Sequence, residues 1–187
     1  MNREHVSPED GNEKFLQKLD TMGIDVHACF QCGRCSSGCP VAEYFDLQVM
    51  EVVRLASYGM EDILLASKTI WLCAACETCA TRCPNEIEIA GLMDVLRSLA
   101  LKKGVVPAEP RVPLFHRSFL DSVRHWGRTY EIGMIAGYKI RSGDLLSDMK
   151  LGMDMFIKGK LKLLPQAIKA RDEVRQIFSG KGKEYER

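Results

Sequence analysis

Eight cysteines fall into two stretches of the 187-residue chain, Cys29-Phe-Gln-Cys32-Gly-Arg-Cys35-Ser-Ser-Gly-Cys39-Pro40 and Cys73-Ala-Ala-Cys76-Glu-Thr-Cys79-Ala-Thr-Arg-Cys83-Pro84. Each reads C-x2-C-x2-C-x3-C-P, and no cysteine lies outside them. Thiolate sulfur is a soft ligand suited to iron–sulfur clusters and to zinc. In a cubane [4Fe–4S] cluster each iron is tetrahedral, with three inorganic sulfides and one outside thiolate. A C-x2-C-x2-C loop is short enough to set three thiolates around one corner of such a cube. The fourth iron has to be reached from elsewhere. Zinc would need two sites of four cysteines, and a redox-active disulfide from one C-x2-C pair would leave six thiols without a role. Brown colour and acid-labile sulfide separate the iron–sulfur reading from colourless zinc protein.

Runs of this form resemble those of bacterial two-cluster ferredoxins, in which the fourth cysteine of each run ligates the other cluster. The resemblance implies a first [4Fe–4S] cluster on Cys29, Cys32, Cys35 and Cys83, and a second on Cys73, Cys76, Cys79 and Cys39. Such crossing would staple the two runs together and keep the clusters close enough for electron transfer between them. Pro40 and Pro84 fix the backbone after each fourth cysteine. Gly33 and Gly38 are expected to make tight turns whose N–H groups face cluster sulfur, because an anionic cluster needs donors when buried. Ala74, Ala75 and Ala80 leave room beside the second cluster. Arg34 and Arg82 either ease the addition of an electron or are surface residues. His27 reads as a solvent-facing loop residue, and His116 and His125 show no partner pattern.

Elements must bring the two runs together, and the spacing of apolar residues predicts helices. Residues 1–13 read as a flexible leader, with turn chemistry at Pro8-Glu9-Asp10-Gly11-Asn12. Phe15, Leu16 and Leu19 sit at helical spacing. Between the runs, Asp46 is expected to cap a helix whose apolar face is Leu47, Met50 and Val53, stopped at Ser57-Tyr58-Gly59. A second amphipathic piece carries Ile63, Leu64, Ile70 and Leu72 into Cys73. Ile87 to Lys103 predicts a long helix closed by Lys102, Lys103 and Gly104. Between the runs no stretch alternates as a strand does. The expected fold is all-α: an alpha-helical two-cluster ferredoxin domain over 14–104 with a C-terminal helical extension. A Pro-rich linker spans 105–113. The extension, 114–179, is expected to hold helices over Leu114–Trp126, Tyr130–Ile140, Leu145–Ile157 and Gln166–Phe178, followed by a polar tail over 180–187. Met149, Met153 and Met155 suit either core filling or an adaptable docking surface.

Lysine plus arginine (26) nearly cancels aspartate plus glutamate (25), so no overall field points to nucleic acid. The run Lys158-Gly159-Lys160-Leu161-Lys162 is short and reads as a solvated face. No apolar run approaches the roughly 18 to 20 residues that cross a bilayer, and Met1 to Glu13 does not resemble a signal peptide. A cytoplasmic location follows, where reduced thiols favour metal ligation over disulfides. No phosphate-binding glycine loop, Ser–His–Asp set or metal-binding His pair occurs. The chain carries electrons without a visible site for substrate chemistry.

The paired cysteine runs on a helical frame, together with Phe115-His-Arg-Ser-Phe-Leu-Asp-Ser-Val, Gly127-Arg128 and Tyr130-Glu131, resemble the C subunit of heterodisulfide reductase from about residue 20 to 165. That family implies relay of single electrons from a flavin-containing A subunit to a B subunit. The B subunit's CCG motifs bind the clusters that reduce the coenzyme M–coenzyme B heterodisulfide of methanogenesis, with a hydrogenase or formate dehydrogenase upstream. Two other readings stand beside it. An iron–sulfur subunit of a membrane-associated dehydrogenase would show a [2Fe–2S] cysteine set upstream (succinate or fumarate type) or CCG repeats downstream (glycerol-3-phosphate type). A freely diffusing ferredoxin would show a strongly charged docking face and little beyond its cluster domain. The sequence instead continues from Leu114 to Arg187, which favours a subunit of a stable complex.

Overall fold

The computed structural model describes residues 11–144, 147, 153–155, 157–158 and 167–179. Among them all regular structure is helical, so the protein is all-α. Backbone contacts divide the chain into two units, Met1–Pro110 and Arg111–Arg187.

The first unit opens with α1 (Glu13–Thr21). Asn12 Oδ1 accepts from the backbone N–H groups of Lys14 (3.1 Å) and Phe15 (3.3 Å) and so caps it. Asn12 thus belongs to the folded body, whereas the sequence placed it in the leader. Its Nδ2 donates to Glu61 Oε2 (2.6 Å), and Lys103 Nζ lies 2.7 Å from the same oxygen. Glu61 is only 5% exposed. One buried carboxylate therefore ties the start of α1 and the far end of α7 (Ile89–Lys103) to α4 (Glu61–Ala66). Gly59 permits the close approach: its φ is +69°, and a Cβ there would stand 2.7 Å from the Asn12 nitrogen.

The core is built from Phe15 and Leu19 of α1, the buried face of α3 (Val49–Ser57), Leu64 and Leu65 of α4, and Leu92, Met93 and Leu96 of α7. The face of α3 differs from the expected one. Val49, Val52, Val53 and Ala56 are buried, while Leu47 precedes the helix and Met50 is partly exposed. Asp46 is not the cap either, since Gln48 occupies that position. Glu51 Oε2 accepts the Gln48 N–H (2.7 Å), and Ser36 Oγ accepts the Met50 N–H (2.9 Å).

Asp46 instead reaches forward. It accepts from Thr69 Oγ1 (2.6 Å), Ser67 Oγ (2.8 Å), Lys68 N–H (2.9 Å) and Thr69 N–H (3.0 Å), clasping the start of α5 (Thr69–Leu72). Burial pushes this carboxyl up, but the bonds from Thr69, Lys68 and Ser67 outweigh it and hold the pKa down at about 2. The expected single amphipathic piece is thus two short helices, α4 and α5. Leu64, Leu65, Ile70 and Trp71 are buried, while Ile63 is exposed. Helix α7 starts two residues after Ile87, which is itself buried.

In the second unit α8 spans Arg111–Trp126, three residues earlier than the predicted Leu114. Pro113 falls on its third residue, where no backbone N–H is needed, so the helix absorbs the end of the expected linker. It packs against α9 (Glu131–Ser142), and α10 (Arg171–Phe178) also contacts it. The contact between α8 and α9 is polar at its centre. Buried Ser122 Oγ accepts the Tyr130 N–H (2.8 Å), and Arg141 donates to Ser118 Oγ (3.0 Å) and Asp121 Oδ2 (2.7 Å). Phe115 and Tyr138 meet edge to face, 5.7 Å between centroids. No described apolar side chain of this unit is fully buried. The last helix begins at Arg171 rather than Gln166. Most of the expected Leu145–Ile157 helix, residues 1–10 of the leader, and the tail over 180–187 lie outside the described residues. No helix of the described residues is long and apolar enough to cross a membrane.

Candidate metal centres

The two cysteine runs fold into the same backbone twice. Gln31 (φ +54°) and Gly33 (φ +74°) are left-handed in the first; Ala75 (φ +50°) and Glu77 (φ +59°) take the same turns at the same places in the second. Each loop then enters a single helical turn, α2 (Arg34–Ser37) or α6 (Thr78–Thr81). Three of the four left-handed residues carry a Cβ, a conformation that costs about 1–2 kcal/mol each. The turn is therefore imposed by the loop's task rather than by the residues' own preference. Gly38 has an ordinary αR backbone, against the expected tight turn. A Cβ there would lie 2.6 Å from the Arg82 side chain, so this glycine makes room for a guanidinium.

The loops place their thiols around two hollows. Cys29, Cys32, Cys35 and Cys83 line the first, with Met50, Asn85 and Ile89 among its other walls. Cys39, Cys73, Cys76 and Cys79 line the second, with Phe45, Ala90 and Met93. The hollows match in size, each a small, partly open cavity of about 20 Å³. Two helices form the partition. On α3, Val49 faces the second hollow and Met50 the first. On α7, Ile89 faces the first and Ala90 the second. The middle cysteines, Cys32 and Cys76, are exposed, so each hollow opens to the surface at equivalent points. Among the described residues no three His, Cys, Asp or Glu side chains converge as a single bound ion would need.

Of the other residues singled out in the sequence, Gly33, Arg34 and Pro84 line the first hollow, and Ala74 and Ala75 the second. His27 is exposed and lines neither. Two residues that the sequence did not single out hold the loops from below. Asn85 Nδ2 donates to the Ala28 carbonyl, just before Cys29. Arg97, on α7, donates from Nε to the Ile70 carbonyl (2.6 Å) and from Nη2 to the Cys73 carbonyl (3.0 Å). An Asn after Cys83-Pro84 and a lone Arg within an apolar helix were the only signals available.

Burial pushes the Cys79 thiol up to about 11 and raises Cys35, whereas the Thr78 hydroxyl, 3.4 Å from the Cys76 sulfur, lowers Cys76. The deep thiols thus keep their protons until a metal replaces them. The Gln31 N–H already points at the Cys29 sulfur, 3.4 Å away. Two equal hollows, each ringed by four thiols and otherwise largely apolar, fit a pair of iron–sulfur cubes.

Residues 25–87, which contain both runs, match the 4Fe-4S dicluster domain family. The chain is 32% identical over 119 residues to the C subunit of the H2:CoB–CoM heterodisulfide,ferredoxin reductase of Methanothermobacter marburgensis, covering 62% of this chain and 64% of that one. It is 35% identical over 100 residues to the C subunit of the ferredoxin:CoB–CoM heterodisulfide reductase of Methanosarcina mazei, covering 54% and 62%. To the iron–sulfur C2 subunit of the CoB–CoM heterodisulfide reductase of Methanocaldococcus jannaschii it is 33% identical over 131 residues, 65% of this chain and 67% of the relative. The chain belongs to the family of heterodisulfide reductase C subunits. It spans somewhat less than two thirds of the length of the first two of these relatives. Its cofactors are two [4Fe–4S] clusters, bound within the dicluster domain.

Proposed function

We propose that this chain is the electron-relay subunit of a heterodisulfide reductase complex. It passes single electrons from a flavin- and iron–sulfur-containing A subunit to a B subunit whose CCG motifs hold the site of coenzyme M–coenzyme B heterodisulfide reduction. A hydrogenase or formate dehydrogenase feeds the complex. The reading carries a cytoplasmic location and no disulfide-reducing site on this chain. The observation that carries it is the pair of four-thiol hollows on either side of one partition, in a chain of this family.

The proposed ligand sets are Cys29, Cys32, Cys35 and Cys83 for the first cluster, and Cys73, Cys76, Cys79 and Cys39 for the second, a grouping supported by the residues that line each hollow. When bound, the clusters supply reversible one-electron chemistry. The protein's part is to hold them rigidly, to keep them largely from water with Met50, Ile89, Phe45 and Met93, and to leave each loop open at Cys32 and Cys76. In the second unit Phe119, Leu120 and Ile135 are exposed apolar side chains, which supports a docking role for this extension.

Purification of the native complex without oxygen tests the reading. The chain separated from its companions should hold roughly eight irons and eight sulfides; the complex should contain A- and B-type companions, and its dithionite-reduced clusters should be reoxidised when the heterodisulfide is added. Zinc in place of iron, or companions of a glycerol-3-phosphate or succinate dehydrogenase, would overturn it.

A further inference from the structure

The two cysteine loops are near copies in backbone, yet they are held by side chains of different charge. The neutral Asn85 amide bonds the carbonyl before Cys29, and the Arg97 guanidinium bonds the carbonyls of Ile70 and Cys73. The Arg97 side chain is only 14% exposed. A cation in such a place is poorly screened by water and acts on charge that arrives nearby. The other charges near the loops do not cancel this difference. Arg34 lines the first hollow but is solvent-exposed. Arg82 precedes Cys83 and lies over Gly38, the neighbour of Cys39, and is solvent-exposed. Glu77, next to Cys76, is exposed. Asp94, 3.3 Å from Arg97 Nη1, neutralises part of the guanidinium from the solvent side, where it is 66% exposed.

On the two-cluster reading above, we infer that Arg97 is a positioning residue that sets the clusters apart. It fixes the Cys73 end of the second loop and makes the second cluster the better electron acceptor. Added electrons then rest on the second cluster, and the relay runs from first to second.

Redox titration of the full-length chain with both clusters loaded, followed by electron paramagnetic resonance, tests this. The second cluster is identified as the signal altered in Cys76→Ser. Arg97→Met should reduce the preference of electrons for the second cluster about tenfold, which is about 59 mV for a one-electron couple, and leave the first cluster's potential in place. Arg97→Lys, which keeps the charge, should restore most of the difference. Asp94→Asn, which leaves both carbonyl bonds intact, should shift the second cluster the opposite way. Equal effects of Arg97→Met and Arg97→Lys, or no change in either, overturn the inference. If Arg97→Met fails to load its second cluster, Asp94→Asn decides: a raised potential supports the inference, an unchanged one overturns it. Absence of clusters from the parent chain would instead sink the proposed function itself.

Discussion

Glu77 and Gly33 stand at equivalent places in the two loops, and only one of them is the residue its left-handed backbone prefers. The cysteines were legible as a set because thiol spacing is chemistry written directly into sequence. The turn at Ala75 and Glu77 was not, since neither residue favours it and tertiary context imposes it. Arg97 was equally hidden: its two carbonyl partners lie 27 and 24 residues away in sequence. Lone arginines in helices carry no such label. The proposed crossing of fourth ligands makes a prediction at this scale. Cys39→Ser should abolish or alter the signal of the cluster assigned to Cys73, Cys76 and Cys79 while the other keeps its spectrum. The inverse result in site-resolved electron paramagnetic resonance would require uncrossed ligation.

Among the elements, α7 was legible because long apolar periodicity and end signals agree there, and α1 from apolar spacing alone, with its Asn12 cap missed. The face of α3 was not. Met50 mimics a core residue by spacing but lines a hollow, and the pattern of a helix flanking a cofactor site need not follow the pattern of one flanking a hydrocarbon core. Asp46 was misread for a related reason, since a carboxylate before a helix looks like its cap even when it serves residues 67–69. Its ionised form is the one stabilised by folding. Because its folded pKa is about 2, below the ordinary 3.8, its contribution is complete above pH 4 and disappears as pH falls from there through 2. Asp46→Asn should cost about 1 kcal/mol, at the low end for a charged acceptor because the site is solvent-exposed. Thermal unfolding midpoints of parent and variant should keep a constant gap from pH 8 to pH 4 and converge only below it. A gap that closes near pH 6 would contradict the lowered pKa.

For the whole molecule, the all-α architecture was legible, and so was the presence of helices beyond the proline-rich stretch. The start of the second unit was displaced because Pro113 is tolerated in a first helical turn. Its docking role can be tested by ending the chain after Pro110, where the contacts divide. The shortened protein should remain brown, with an unchanged iron count, yet fail to co-purify with its companions. Co-purification at the parent yield would remove the second unit from that role. The partition between the hollows has a consequence of its own. Neighbouring residues on α3 and again on α7 serve opposite chambers, and successive helical residues differ in direction by about 100°. Inserting or deleting one residue at the start of either helix would re-aim the walls of both chambers at once. The clusters are thus tenants of a common wall, and neither lodging can be rebuilt without evicting the neighbour.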